Sequence, residues 1–219
     1  MKTKLQLALD DITLDQAVAL LDQIQESIDI VETGTPFVME YGMHAVRILK
    51  EKFPDLEILC DGKIMDAGSY EAGLTFQAGA DYTTVLAVTD DKTIEDVVAA
   101  ARKASGKAVA DMICVSNLTT RARELEHLGI DMLAVHTGVD QQAQGRTPLD
   151  DLKELSSLHL SVPVAVAGGI RVDTLPDYLS CNPGVIIVGS GILHAADPVA
   201  AAKQLTDMIK KYNLSEDFS

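Results

Sequence analysis

The chain contains no tryptophan, and its aromatic residues amount to only 4%. A core must therefore be built from aliphatic side chains, and Val, Ile, Leu and Ala suit a parallel sheet covered by helices. Cysteine is scarce too. Cys60, Cys114 and Cys181 are odd in number and show no CxxC spacing. That excludes a disulfide framework and a thiolate zinc site, and leaves three small buried hydrophobes in a reducing compartment. Positive charge is short: 18 Lys and Arg stand against 33 Asp and Glu, a net charge of −15. Nucleic acid and anionic membranes are thereby excluded as partners. A phosphate ligand would have to be held by local backbone donors and a few cations. No apolar run reaches the ~20 residues of a membrane span. A strand-like run begins by Leu5, leaving no room for a signal peptide. The expectation is a cytoplasmic protein.

What is present is a regular alternation. The 219 residues, 47% hydrophobic and 23% charged, suffice for one large core, and no composition break divides 1–219 into more than one domain. Strand patterns cover 4–10, 29–32, 57–63, 81–86, 107–113, 131–136, 162–167 and 185–188. Helical patterns separate them. Thr13 caps the first, Pro36 opens one running to about Phe53, and Gly79, Gly106 and Gly129 close three others. The last spans Pro198–Tyr212, with a frayed tail. Eight strands alternating with eight helices predict a single (β/α)8 barrel of the α/β class. No GxGxxG follows strand one, which argues against an open dinucleotide-binding sheet.

A weak repeat near 51 residues places Asp10, Asp61 and Asp111 at the ends of strands one, three and five. Alternate strands of a barrel contribute to one interior layer, so the three should face the same mouth. Glu32 and His136 end the interleaved strands two and six. Five ionisable groups thus converge where barrel active sites lie.

The densest chemistry is Leu59-Cys60-Asp61-Gly62-Lys63-Ile64-Met65-Asp66. On a regular strand Asp61 and Lys63 share one side, roughly 6–7 Å apart. Asp61 with Glu32 can hold a divalent cation, and hard oxygen ligands with a largely hydrated ion suit Mg²⁺. Lys63 has no structural reason to face a barrel interior. Kept protonated by Asp61 and Asp66, it is a poor Schiff-base nucleophile and a good electrostatic partner for an enolate. Asp66 by itself reads as a helix N-cap. His136 faces the mouth and suits proton transfer; His44, His127, His159 and His194 have no such placement. Ala167-Gly168-Gly169 and Gly189-Ser190-Gly191 follow strands seven and eight, where barrels commonly bind phosphate. These residues describe an enzyme acting on a small phosphorylated compound through a metal-bound enediolate. A non-catalytic phosphosugar-binding barrel is the alternative of another class.

Asp61-x-Lys63-x-x-Asp66 resembles the DxKxxD signature of the orotidine 5′-monophosphate decarboxylase suprafamily, and the likeness runs from Gln6 to Pro198. Within it, Lys63–Gly68, Gly79–Leu86 and Val166–Gly169 are most similar to the 3-hexulose-6-phosphate synthases. The related 3-keto-L-gulonate-6-phosphate decarboxylases typically carry arginines after the strand-six His and the strand-eight Gly. Here Thr137-Gly138-Val139-Asp140 and Ser190 stand there. Cys60 and Gly62 also depart from the family's usual residues. The resemblance implies a lyase that condenses formaldehyde with D-ribulose 5-phosphate. It implies Mg²⁺ on Glu32 and Asp61, and Lys63 as enediolate stabiliser. It implies Asp10 on substrate hydroxyls, His136 in proton transfer, and Gly169, Gly189 and Ser190 around the phosphate. Asp111 is counted with the substrate-binding groups. The resemblance further implies a homodimer in which Asp66 reaches the partner's site.

Overall fold

The computed structural model describes residues 2–216, with backbone only at Glu216. Eight parallel strands close in sequence order into a barrel: β1 (Lys4–Leu9), β2 (Ile30–Thr33), β3 (Glu57–Ile64), β4 (Tyr82–Leu86), β5 (Lys107–Asp111), β6 (Met132–His136), β7 (Val164–Ala167) and β8 (Val185–Val188). β1 pairs with both β2 and β8, which closes the ring. The barrel is the (β/α)8 fold that the alternation predicts.

Burial follows from the strand period. Leu5, Leu7 and Leu9 point outward into the shell of helices, which they share with Leu21, Val46, Leu49, Val97 and Leu205. Inward positions form a second, smaller apolar cluster: Ile30, Leu59, Tyr82, Val109, Met132, Ala134, Ala165 and Val185. This cluster floors the barrel. Glu32, Asp61, Asp111 and His136 stand between it and the C-terminal mouth.

Several details differ from the sequence reading. The helix expected from Pro36 to about Phe53 is two helices, Thr35–Tyr41 and Met43–Lys52, broken at Gly42. Gly42 has φ 58° and ψ −158°, a region essentially reserved for glycine. Short helices at Val139–Gln142 and Ser190–Leu193 occupy stretches expected to be loops. The last helix continues to Glu216, and residues 217–219 of the expected tail lie outside the described residues. Cys60 is buried, as expected, but Cys181 is half-buried and Cys114 is exposed. Cys114 sits in a loop with φ 62°, which takes its side chain out of the core. No helix among the described residues is long and apolar enough to cross a membrane.

The break at Gly42 is a backbone requirement, because a Cβ there would meet nothing within 4 Å. Gly42→Ala should therefore cost ~1–3 kcal/mol through backbone strain alone, read as a lower urea midpoint. An unchanged midpoint would show that the two helices can merge or re-angle freely.

Candidate active site

The site is organised by an irregularity in β3. Its pairing with β4 slips between Cys60 and Ile64, and Lys63 adopts φ 43°, a left-handed conformation uncommon for a lysine. Asp61 and Lys63 therefore do not meet by simple strand alternation. Thr84 of β4 holds the bulge: its Oγ1 accepts from the Lys63 backbone N–H at 2.9 Å and donates to Asp61 Oδ1 at 2.7 Å. Thr35 Oγ1 donates to Asp61 Oδ2 at 2.8 Å.

The bulge turns the Lys63 ammonium inward. Nζ lies 2.7 Å from Asp61 Oδ2 and 3.0 Å from Asp111 Oδ2. The sequence pairs it with Asp61 and Asp66; in the structure Asp111, from two strands away, takes the second place. Burial alone would lower the Lys63 pKa, but the charges and hydrogen bonds of Asp61 and Asp111 raise it above its ordinary value. The amine is a fixed cation.

Asp111 carries the link onward. His136 Nδ1 lies 2.9 Å from Asp111 Oδ2, and Ile113 N–H donates to Oδ1 at 2.9 Å. Burial pushes the Asp111 carboxyl up, and the hydrogen bond and charge of His136, with Lys63 and the Ile113 amide, outweigh it and bring it below the ordinary value. An ionised Asp111 can only accept, so Nδ1 of His136 carries a proton, and the residue lines the cavity.

On the other side of Lys63 the charge is not balanced. Glu32 is buried, and its pKa is pushed well up by desolvation, then by the Asp61 and Asp10 charges. Asp10, solvent-exposed at the mouth, is also raised, by partial burial and by Asp61. All these groups line one cavity of about 880 Å³ over the apolar floor. Among the described residues six carboxyl groups line it (Asp10, Asp11, Glu32, Asp61, Asp111 and Asp140) against one lysine and no arginine.

Gly169, Gly189 and Ser190 line the same cavity at its β7–β8 side. Gly168 and Gly169 both take positive φ, 129° and 67°, which brings backbone to the cavity wall without side chains. Asp10, Glu32, Asp61, Lys63, Asp111, His136, Gly169, Gly189 and Ser190 are thus brought together as the sequence places them. Asp66 is not. It is exposed, outside the cavity, and its Oδ1 accepts from the N–H of its neighbour Ala67 at 2.7 Å. It caps no helix, since the next one starts at Gly68 after a left-handed Ala67.

Sequence reasoning missed Gln6, Thr35 and Thr84, which are neutral, and His194, which lines the cavity with its Nε2 3.4 Å from Asp11. It also missed Gly34, where a Cβ would fall 1.9 Å from Asp10 Oδ1. For Thr84 the available signal was its inward parity on β4.

The model of the orotidine 5′-phosphate decarboxylase / HUMPS family matches residues 3–205. The chain belongs to this family. It is 43% identical over 206 residues to the 3-hexulose-6-phosphate synthase of Bacillus subtilis, covering 94% of this chain and 98% of that protein. The crystal structure of 3-hexulose-6-phosphate synthase from Salmonella typhimurium superposes with a TM-score of 0.93 at 49% identity, covering 95% of this chain and 99% of the other. The ligand-bound crystal structure of KGPDC from Streptococcus mutans superposes with a TM-score of 0.88 at 28% identity, covering 96% and 98%. Relatives matched end to end at this identity make the chain an enzyme of this superfamily, in the lyase class.

The raised Glu32 pKa has a measurable consequence without divalent cations. A carboxyl whose folded pKa exceeds the unfolded one contributes stability below the unfolded value, ~4.3, and loses it as pH rises through the folded value. In chelator at pH 8, Glu32→Gln should therefore unfold at higher urea than the wild type, with the gap narrowing as the pH falls. A variant less stable at pH 8 would show that the ionised Glu32 is already compensated by the protein.

Proposed function

We propose that the protein is a Mg²⁺-dependent aldolase that condenses formaldehyde with D-ribulose 5-phosphate to D-arabino-3-hexulose 6-phosphate, and catalyses the reverse. The observation that carries this reading is the Asp61–Lys63–Asp111–His136 chain of contacts beside an uncompensated pair of acids, in a chain 43–49% identical to named 3-hexulose-6-phosphate synthases.

The donor set fits a hard divalent ion. Glu32 and Asp61 offer carboxylate oxygens, and burial, followed by the Asp61 charge, raises the pKa of Glu32 and Asp10, a cost that a bound cation would offset. Among the described residues no group of three or more His, Cys, Asp or Glu is placed to hold a metal ion by itself. Such an ion would keep positions for water and substrate, as Mg²⁺ does. When bound, Mg²⁺ supplies Lewis-acid stabilisation of charge on the sugar oxygens.

The chain's own groups account for the remaining steps. Backbone at Gly169 and Gly189, with Ser190, holds the phosphate in a cavity too acidic to attract it by charge. Asp10 meets the sugar hydroxyls. His136, its Nδ1–H engaged by Asp111, has Nε2 free to move a proton. Loss of the C1 proton from ribulose 5-phosphate gives an enediolate, whose charge Lys63 stabilises without a proton change. C1 then attacks the formaldehyde carbon, forming the C–C bond, and the new alkoxide takes up a proton.

The working unit in this reading is a homodimer. Met39, Tyr70 and Val139 are 82%, 71% and 79% exposed on segments that follow β2, β3 and β6, a placement that favours a partner over the mouth. Asp66, outside its own cavity, would serve the partner's site.

The second reading is 3-keto-L-gulonate-6-phosphate decarboxylase, favoured by the match to the Streptococcus mutans structure. The absence of arginine from the cavity lining weighs against it.

With ribulose 5-phosphate and Mg²⁺ the protein should consume formaldehyde, and chelator should stop it. Lys63→Ala and Asp61→Ala should each lose ~10²-fold or more in turnover. Near-wild-type turnover by either folded variant would overturn the mechanism. Faster CO₂ release from 3-keto-L-gulonate 6-phosphate would establish the second reading instead.

A further inference from the structure

Gln6 takes no part in the chemistry above, yet it is a fully buried amide in an apolar floor. It lies on β1 at 0% exposure, deeper in the barrel than the Ala8–Glu32 pair of the β1–β2 register. Its strand partners are Ile30 and Ile187. Its Nε2 donates to Glu32 Oε2 at 2.6 Å, the one hydrogen bond to the Glu32 side chain among the described residues. Only the amide nitrogen can donate to a carboxylate, so Oε1 is left over, and it has no partner. Gln6 and Glu32 line the same cavity.

A leucine would fill this space without stranding a carbonyl, so packing does not explain an amide here. The hydrogen bond to Glu32 does. A carboxylate buried beside Asp61 and Asp10 is repelled by both, and something neutral must hold its orientation.

We propose that Gln6 is a positioning residue for a divalent-cation site: it fixes the Glu32 carboxylate from the barrel floor and offers Oε1 to a water carried by the ion. The inference rests on reading Glu32 as a cation ligand. It goes further in assigning the outer partner that orients this ligand, a role such partners commonly play at metal centres. A hydrated cation brings water protons into the cavity, which is the donor Oε1 lacks.

The test measures Mn²⁺ binding to the full-length protein by electron paramagnetic resonance, without substrate, for wild type, Gln6→Leu and Gln6→Met. Two variants are needed because either one alone could fail to fold; circular dichroism and the unfolding midpoint check this. The expected result is ~10-fold or more weaker Mn²⁺ binding in a folded variant, with turnover recovering as Mg²⁺ is raised. A purely structural role would lower turnover at every Mg²⁺ concentration and leave the Mn²⁺ affinity unchanged. Equal Mn²⁺ affinity in a folded variant and the wild type overturns the role of Gln6 and leaves the cation site standing. No Mn²⁺ binding by the wild type removes the cation site and this inference with it.

Discussion

One ammonium shared by two buried carboxylates governs this molecule's site. Lys63 Nζ bridges Asp61 on its own strand and Asp111 two strands away. Both carboxylates are nearly inaccessible to solvent. Burial penalises an unpaired charge at such positions, and the contact supplies each carboxylate with a cationic partner. The contact in turn demands the β3 bulge, the left-handed Lys63 and the Thr84 hydroxyl that ties the bulge to Asp61. Breaking a buried pair by removing one member leaves an uncompensated charge, which is why the whole arrangement must form together. Asp111 then passes orientation to His136.

This link splits the barrel mouth into two electrostatic halves. Towards β5 and β6, Lys63, Asp111 and His136 satisfy one another. Towards β1 and β2, burial and the Asp61 charge outweigh the distant pull of Lys63, and Asp10 and Glu32 are both held above their ordinary pKa. The first half is a finished hydrogen-bonded chain that can move a proton at His136 Nε2. The second is the half in which the proposed function places a divalent ion. Opposite both, the β7–β8 loops present backbone. In the proposed function an anionic sugar is oriented by that backbone, with its other end between the fixed ammonium and the acids.

Much of this is legible in the sequence, for a physical reason. Inward parity on strands two residues per repeat, and a two-strand spacing near 51, place Asp10, Asp61 and Asp111 in one layer whatever the loops do. The strand-end glycines fall on the β7–β8 side of the cavity by the same logic. The β3 bulge is not legible, because a lysine at positive φ runs against local preference and is fixed by Thr84 from another strand. The break at Gly42 is hidden because an isolated glycine is tolerated inside a helix. Gln6 and Thr84 escape notice because a neutral polar side chain has no chemistry until its partner is known. Residue type alone places Cys114 in the core, against a backbone that turns it outward.

The central claim is that the fixed ammonium and the incomplete acid site together stabilise an enediolate. Exchange of the C1 proton of ribulose 5-phosphate with D₂O, followed by NMR with formaldehyde absent, tests it most directly. The account predicts exchange by the wild type with Mg²⁺ and none after the cation is chelated. Tight binding of ribulose 5-phosphate with no exchange at C1 would contradict it.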